Sequence, residues 1–401
     1  MKWTYDNGDN VPINVTDVIV KDGVKQINSD TFRKHKNLVK ITIPESVSYF
    51  GVSCFSQCTS LVSIQILSSN VTQIEPYTFN DCTSLKSLRL PCSIHRIGDG
   101  AFRHCKSLES LDLPSSLLEI GRGAFNGCIS LKSIQLPQSI TTIMRNSFKQ
   151  CLSLDYIVIP SCITSIQPAT FIDCKKLTSI ELPSSLICID NFAFSACESL
   201  VKIQLPSSLQ YIKKFAFSQC ISLTSIQLPL SIRSLDDMAF CRCTSLKLLH
   251  IPWSIEHIGE NVIKGCTSLR CVKLLDTDDN VTDSVVKFLL HFLKSHPDAV
   301  QHPCTDDGIF PLHFLFMYGY VQYYNDGIGK LIESAADTLS IRDPKYHLYP
   351  FLLAACTPLK HETKVLCDEG EQCDYDVEQL ETIYKLLSES AWLIDVLILK
   401  R

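Results

Sequence analysis

One feature constrains this chain before any other: a phenylalanine that recurs at a fixed step. Phe32, Phe55, Phe79, Phe102, Phe125, Phe148, Phe171, Phe194, Phe217 and Phe240 stand 23 residues apart, with a single step of 24, and Ile263 takes the next place. Three residues after each comes a cysteine, from Cys58 to Cys266, with His35 in the first turn. Six residues after each is a leucine, from Leu38 to Leu269. Apolar residues follow at nine and eleven, as in Ile180 and Leu182, and in most turns a proline comes next, as in Pro183. Self-similarity at a fixed period marks a repeat architecture and outranks any local assignment of helix or strand.

The period dictates the unit. Leu177-x-x-Ile180-x-Leu182 ends in two-residue alternation, which suits a short strand with one buried face. Proline then stops the strand, because it has no N–H to give to a ladder. A second apolar pair, Leu186 and Ile189, marks a return segment, and the Ala193-Phe194 step turns the chain back toward the core. No such unit buries its apolar side alone, so neighbours stack into a continuous core with a parallel strand ladder. Eleven turns at about 4.8 Å each predict an array roughly 50 Å long. The expected fold is an α/β solenoid, a right-handed array of 23-residue leucine-rich units.

Residues 177–200 read LTSIELPSSLICIDNFAFSACESL, which resembles the BspA-like (Treponema pallidum type) leucine-rich repeat class. The resemblance covers residues 17–275. It implies the solenoid fold, and it implies surface adhesion as one use, since some bacteria and unicellular eukaryotes employ the family in that way. Adhesion requires export. The opening residues Met1–Asn10 are polar, with no apolar stretch of signal-peptide length behind them. The apolar run Ala391–Leu399 is broken by charge and is too short to span a bilayer. The expected location is therefore cytoplasmic, with the cell surface as the alternative. Asn-Val-Thr sequons at Asn14, Asn70 and Asn280 matter only on that alternative.

Three segments follow from the register: a capping segment at 1–17, the solenoid at 18–275, and a C-terminal module at 276–401. Helical spacing replaces the period of 23 after the acidic run Asp276–Asn280. Asp283–Leu293 reads as an amphipathic helix ahead of Pro297, and 377–400 as a longer one. Gly308-Ile-Phe-Pro311-Leu312-His313 is similar to the turn that opens an ankyrin repeat, and Pro350–Ala355 looks like a poorer copy. The resemblance implies an all-α ankyrin-like module. Charge also divides here: residues 1–275 hold 27 Lys+Arg against 21 Asp+Glu, a net of +6. Residues 276–401 hold 10 against 21, a net of −11, and the two sum to the −5 of the chain. The acidic stretch Asp368–Asp376 reads as a solvated loop.

The 20 cysteines are explained chiefly by the repeat. Equivalent cysteines on parallel rungs hold their Cβ atoms too far apart for a disulfide ladder and diverge too much to share a metal. The expected role is a small buried apolar group at a tight corner, its weak S–H meeting a carbonyl. His35 is expected to be the least buried of the column. Cys356, His361, Cys367 and Cys373 are the one cluster of ligand types close in sequence, but they lack the C-x2-C spacing of a zinc knuckle, so no metal is expected. No Gly-rich phosphate loop, nucleophile elbow, H-E-x-x-H or dinucleotide fingerprint occurs, so no catalytic residue and no cofactor is expected. The +6 of the solenoid is spread too thinly to suggest nucleic acid.

A protein partner is expected on the strand side chains that face away from the core. These form two columns, mostly serine and glutamine, from Lys40 to Cys271 and from Thr42 to Lys273. Two rungs break the pattern, Tyr156 with Val158 and Leu248 with His250, and these four residues are the candidate contact points. The reading is a non-enzymatic interaction scaffold. The alternatives are a cell-surface adhesin and a metal-binding C-terminal module.

Overall fold

A computed structural model of the chain describes residues 1–6, 8, 10–275, 282–296, 299, 303 and 304. The chain divides into two compact units, Met1–Leu246 with His257–Ser268, and Lys247–Glu256 with Leu269–Arg401. The ankyrin-like elements expected at 308–315 and 350–355 and the helix at 377–400 lie outside the described residues. So do the cluster of Cys356, His361, Cys367 and Cys373, the acidic loop 368–376 and Asn280.

The first unit is a parallel-strand solenoid. Where one strand ladder was expected, the solenoid carries two. The longer strands include Lys40–Ile43, Ser63–Ile66, Tyr156–Val158 and Ser179–Glu181, and they pair in parallel at the repeat spacing. The return segments form a second ladder of two-residue strands, among them Gln73–Ile74, Arg96–Ile97, Glu119–Ile120 and Thr142–Ile143. Each of these strands points one apolar side chain inward, such as Ile97 or Ile120, and both are fully buried. That is the second apolar pair of the motif put to use.

The ladder on the longer strands is interrupted, and residue type accounts for much of this. Four-residue strands form where isoleucine holds both inward positions, at Ile41/Ile43 and Ile64/Ile66. Where leucine holds both, at Leu88/Leu90 and Leu111/Leu113, only a single bridge between Arg89 and Asp112 survives. β-Branched side chains favour the pleated conformation and leucine does not. The 24-residue turn interrupts the second ladder: Tyr49–Phe50 pairs with Gln26–Ile27, while Gln73–Ile74 pairs only onward with Arg96–Ile97.

The N-terminal segment closes one end of the solenoid as a strand. Lys2–Tyr5 pairs in parallel with Asp17–Val20, and the carbonyl of Met1 accepts from the backbone N–H of Thr16 at 3.0 Å. Tyr5 is fully buried and meets Phe32 edge to face, with centroids 5.3 Å apart. The segment thus supplies the first rung of the ladder and covers the first ring of the phenylalanine column.

In the second unit, Leu248–Pro252 and Cys271–Leu275 pair in parallel over five residues. The helix Asp283–Ser295 bears out the amphipathic reading of Asp283–Leu293, with Val285, Val286, Leu289, Phe292 and Leu293 buried. Its N-cap residue Thr282 leaves the helix uncapped and donates its hydroxyl to the Ile255 carbonyl at 2.7 Å. The Ser284 hydroxyl does the same toward Glu256 at 3.0 Å. Beyond the helix, Cys304 is buried and its carbonyl accepts from the Leu274 N–H at 2.7 Å. These bonds tie the helix and the following segment to the two strands.

Candidate functional site

The corner at each phenylalanine sets which side chains reach the surface of the first unit. The residue two before the phenylalanine and the residue two after it are left-handed in every turn from Phe32 to Ile263. Their φ values run from +53° to +59° and from +57° to +78°. The Ala-Phe step was expected to turn the chain here, and the structure shows that left-handed residues on either side of the phenylalanine make the turn. Most of them are not glycine, and each such residue costs about 1–2 kcal/mol. The cost is offset by pairing: in the turn at Phe125, the N–H groups of Gly123, Phe125 and Gly127 donate to Arg145, Ser147 and Lys149 on the next turn at 2.8–3.1 Å.

Inside this corner the phenylalanines form one stack. Successive rings from Phe32 to Phe240 lie 5.3–5.5 Å apart and within 17° of parallel. A centroid spacing wider than the strand spacing of about 4.8 Å makes each pair offset, the arrangement the ring quadrupoles prefer. All ten rings are fully buried.

The cysteine column behaves as the residues predict. Each thiol from Cys58 to Cys266 donates to the carbonyl of the phenylalanine one turn earlier, at 3.0–3.3 Å. That carbonyl also accepts from the backbone N–H of the residue three on in its own turn, a cysteine or, at Phe32, His35, so both lone pairs are used. Burial pushes the thiols of Cys58, Cys128, Cys174 and Cys220 up to about 12. Thiols held protonated in this way are inert toward chemistry that needs a thiolate.

His35 overturns one expectation. It is 6 % exposed rather than poorly buried, because the N-terminal segment covers the first turn, and its Nε2 lies 3.2 Å from the Val11 carbonyl. It repeats the thiol's role with a longer side chain. Serine staples the opposite bend: the hydroxyls of Ser93, Ser116, Ser139, Ser185, Ser208 and Ser231 each donate to a carbonyl 22 residues back, at 2.6–2.7 Å.

On the sheet face, Tyr156 is 42 % exposed and its hydroxyl donates to the carboxylate of Glu181 on the next rung. That bond holds the phenol above its usual range. Val158, beside it, is half-buried. Ser133, Ser179, Gln135 and Gln204 are exposed on the same face, as the register predicts. Leu248 and His250 belong to the second unit, half-buried, in register with Cys271 and Lys273. Tyr156 and Val158 thus share one strand of the first unit, and Leu248 and His250 share one strand of the second. A groove of about 420 Å³ opens where the leucine-rich rungs loosen, lined by Leu67, Arg89, Leu90, Cys92, Asp112 and Leu113.

One surface escaped the sequence reading. Phe192, Phe215 and Met238 hold the left-handed position two before the phenylalanine on three successive turns, at φ +57°, +57° and +55°. The rings of Phe192 and Phe215 stack 4.8 Å apart at 7°, and Phe192 is 40 % exposed. Reading that column down the repeat would have found it, since the equivalent residues elsewhere are, apart from Tyr77, small or polar: Asp30, Ser53, Gly100, Gly123, Asn146, Ala169 and Asn261. Among the described residues no group of three metal-ligating side chains converges, and no helix is long and apolar enough to cross a membrane.

Comparison with known proteins gives a consistent picture. The family model for the BspA type leucine rich repeat region matches in six copies, over residues 10–128, 95–187 and 164–287. Among solved structures, a leucine-rich repeat protein from Bacteroides ovatus is 27 % identical, covering 64 % of this chain and 86 % of that one, with a TM-score of 0.39. A leucine rich cell surface protein from Faecalibacterium prausnitzii is 24 % identical, over 69 % and 91 %, with a TM-score of 0.40. The Treponema pallidum leucine rich repeat protein is 24 % identical, over 46 % and 77 %, with a TM-score of 0.33. No curated protein matches the chain.

Proposed function

We propose that this chain, which belongs to the BspA-type leucine-rich repeat family, is a non-enzymatic scaffold that binds a protein partner on the sheet face of its first unit. The observation that carries the reading is Tyr156. It is an exposed aromatic on a face lined chiefly by serine, glutamine and scattered charge, with Ile19 a second apolar group near its N-terminal end, and Glu181 fixes the direction of the tyrosine. An aromatic ring with its rotamer already set loses little entropy on binding, which is why tyrosine recurs at the energetic centres of interfaces. Val158 extends the apolar contact on the same strand. Stacked rungs suit the role because each contributes one or two side chains to the face while the core beneath stays constant.

Proximity labelling and affinity purification of the intact chain test this. A partner recovered with the native protein is expected to be lost on Tyr156→Ala, a drop of about 2 kcal/mol or more in binding. The melting transition is expected to stay in place, since the side chain lies on the exposed face of its strand. Undiminished recovery of every partner by the variant would overturn the assignment of Tyr156.

A further inference from the structure

The left-handed column of the first unit carries two surfaces in succession, and together they specify a ligand. The first surface is basic. Gly100 and Gly123 stand at this position on neighbouring turns, at φ +58°. The Tyr77 ring lies over Gly100, where an added Cβ would come within 2.6 Å of it, while Gly123 meets nothing closer than the Asn126 Cβ at 3.6 Å. The Gly123 backbone is itself buried, and the exposed groups at this place are its neighbours Arg122 and Arg145. Beside it, Arg122 and Arg145 occupy one column on successive turns, and Arg103 and Lys149 occupy the column that contains Asn126.

Among the described residues these four cations pair with no carboxylate across neighbouring turns, and in the column of Arg122 the contrast is with Lys214, which pairs with Asp237. Elsewhere in the first unit, neighbouring turns set opposite charges against each other: Arg96 with Glu119, Lys132 with Glu109, Lys175 with Glu198, and Lys214 with Asp237. Arg122 and Arg145 instead stack like on like. The nearest carboxylate in their column, Asp99, accepts from the backbone N–H of Arg122 at 2.8 Å, and among the described residues none of the four cations has an ion-pair partner. Like charges directly opposite on paired segments are unfavourable unless something neutralises them.

The second surface is the apolar ridge of Phe192, Phe215 and Met238, which begins three turns beyond Gly123 in the same column. From Tyr77 to Met238 is seven steps, about 34 Å at about 4.8 Å per step. An extended chain covers that distance in about ten residues.

We propose that this column is a docking edge for an extended peptide segment of a partner protein, acidic in the half that lies on Arg103, Arg122, Arg145 and Lys149 and apolar in the half that lies on Phe192, Phe215 and Met238. Charge complementarity selects the acidic half, and three guanidinium groups suit carboxylates, which they bind in a planar fork. The ridge selects the apolar half. A bare polyanion would satisfy the cations and leave the ridge uncovered, and a bare apolar segment would do the reverse. The edge is distinct from the sheet face that carries Tyr156.

Panning a library of random twelve-residue peptides on the full chain tests the proposal, with enriched peptides re-measured by fluorescence anisotropy. Enriched sequences are expected to join an Asp/Glu run to an aromatic or aliphatic run. Arg122→Glu with Arg145→Glu is expected to weaken them at least tenfold and to flatten their salt dependence. Phe192→Asn with Phe215→Asn is expected to weaken them at least tenfold with the salt dependence kept. Both pairs should fold, because Glu260, Asn146 and Asn261 already hold equivalent positions, and unchanged melting transitions check this. Tyr156→Ala is expected to leave peptide affinity unchanged. Absence of enrichment, enriched peptides lacking the two-part pattern, or affinities indifferent to either pair would overturn the proposal. So would a heparin oligosaccharide or single-stranded RNA that binds through the arginines more tightly than any peptide and ignores the phenylalanine pair.

Discussion

At the corner of the first unit, every turn from Phe32 to Phe240 repeats one arrangement: a buried ring in a stack, a buried polar side chain on a carbonyl, and two left-handed residues beside them. At the sheet face the same turns vary. Ile41/Ile43 supports a four-residue strand, Leu111/Leu113 supports a single bridge, and the outward residues range from Ser133 to Tyr156. The corner is uniform because its contacts are mutual. A ring that stacks on two neighbours, with its carbonyl held by the next turn's thiol, cannot change without disturbing three turns. The sheet face carries no such interlock on its outward side, so its residues are free to differ from turn to turn, and specificity can be written there.

The largest way to break the corner as a whole is alkaline pH. Thiols such as Cys58 and Cys128 rise from the ordinary 9.0 to about 12 in the fold because burial disfavours the thiolate. The unfolded chain therefore releases protons above pH 9 that the folded chain retains, and stability falls as pH rises from 9 toward 12. Each such thiol removes about 1.4 kcal/mol per pH unit in that window. Denaturant melts are expected to be level from pH 7 to 8.5 and to collapse above pH 9.5, with column thiols becoming open to alkylation only as unfolding proceeds. A midpoint that stays constant to pH 10.5 would contradict the corner's dependence on neutral thiols.

Single turns sharpen the contrast. Phe125 stacks on Phe102 and Phe148 at 5.4 Å on each side and is fully buried, so Phe125→Ala is expected to cost about 3–5 kcal/mol. Gln135→Ala, in the same turn but exposed on the sheet face, is expected to cost no more than about 0.5 kcal/mol. Comparable losses in urea titrations of the two variants would erase the distinction between the regions. A smaller effect isolates the thiol's hydrogen bond. Cys151→Ala removes the donor to the Phe125 carbonyl, at about 1–2 kcal/mol, whereas Cys151→Ser keeps a donor of similar size and is expected to lose less. The two variants unfolding together would show that the thiol matters only for its volume.

Much of the corner was legible in the sequence. The 23-residue spacing of Phe102, Phe125 and Phe148, the cysteine three residues on, and the inward leucine all follow from counting, and all are buried. Cysteine's role as a small buried donor followed from the same column. The second ladder was half legible: Leu186 and Ile189 signalled a return segment, but two-residue strands such as Cys188–Ile189 are too short to leave a period of their own. The interaction surfaces were the least legible. Tyr156 stood out because it departs from the Ser/Gln pattern of its own strand position. Phe192, Phe215 and Met238 did not, because they sit one step outside the columns in which apolar residues were sought.

By itself the sequence determined what is periodic and what is inside. Apolar periodicity is a local property, and 23-residue repetition leaves one way to bury it: stacking each unit on the next. Tertiary structure decided the rest. It determined that Phe192 and Phe215 adopt left-handed backbone, that one phenylalanine carbonyl serves two donors, that His35 stands in for a thiol, and that some rungs form strands while others form a single bridge. Each of these depends on a partner about one turn away in the chain and in contact in space. No residue's own preferences contain that partner; only the stacked fold supplies it.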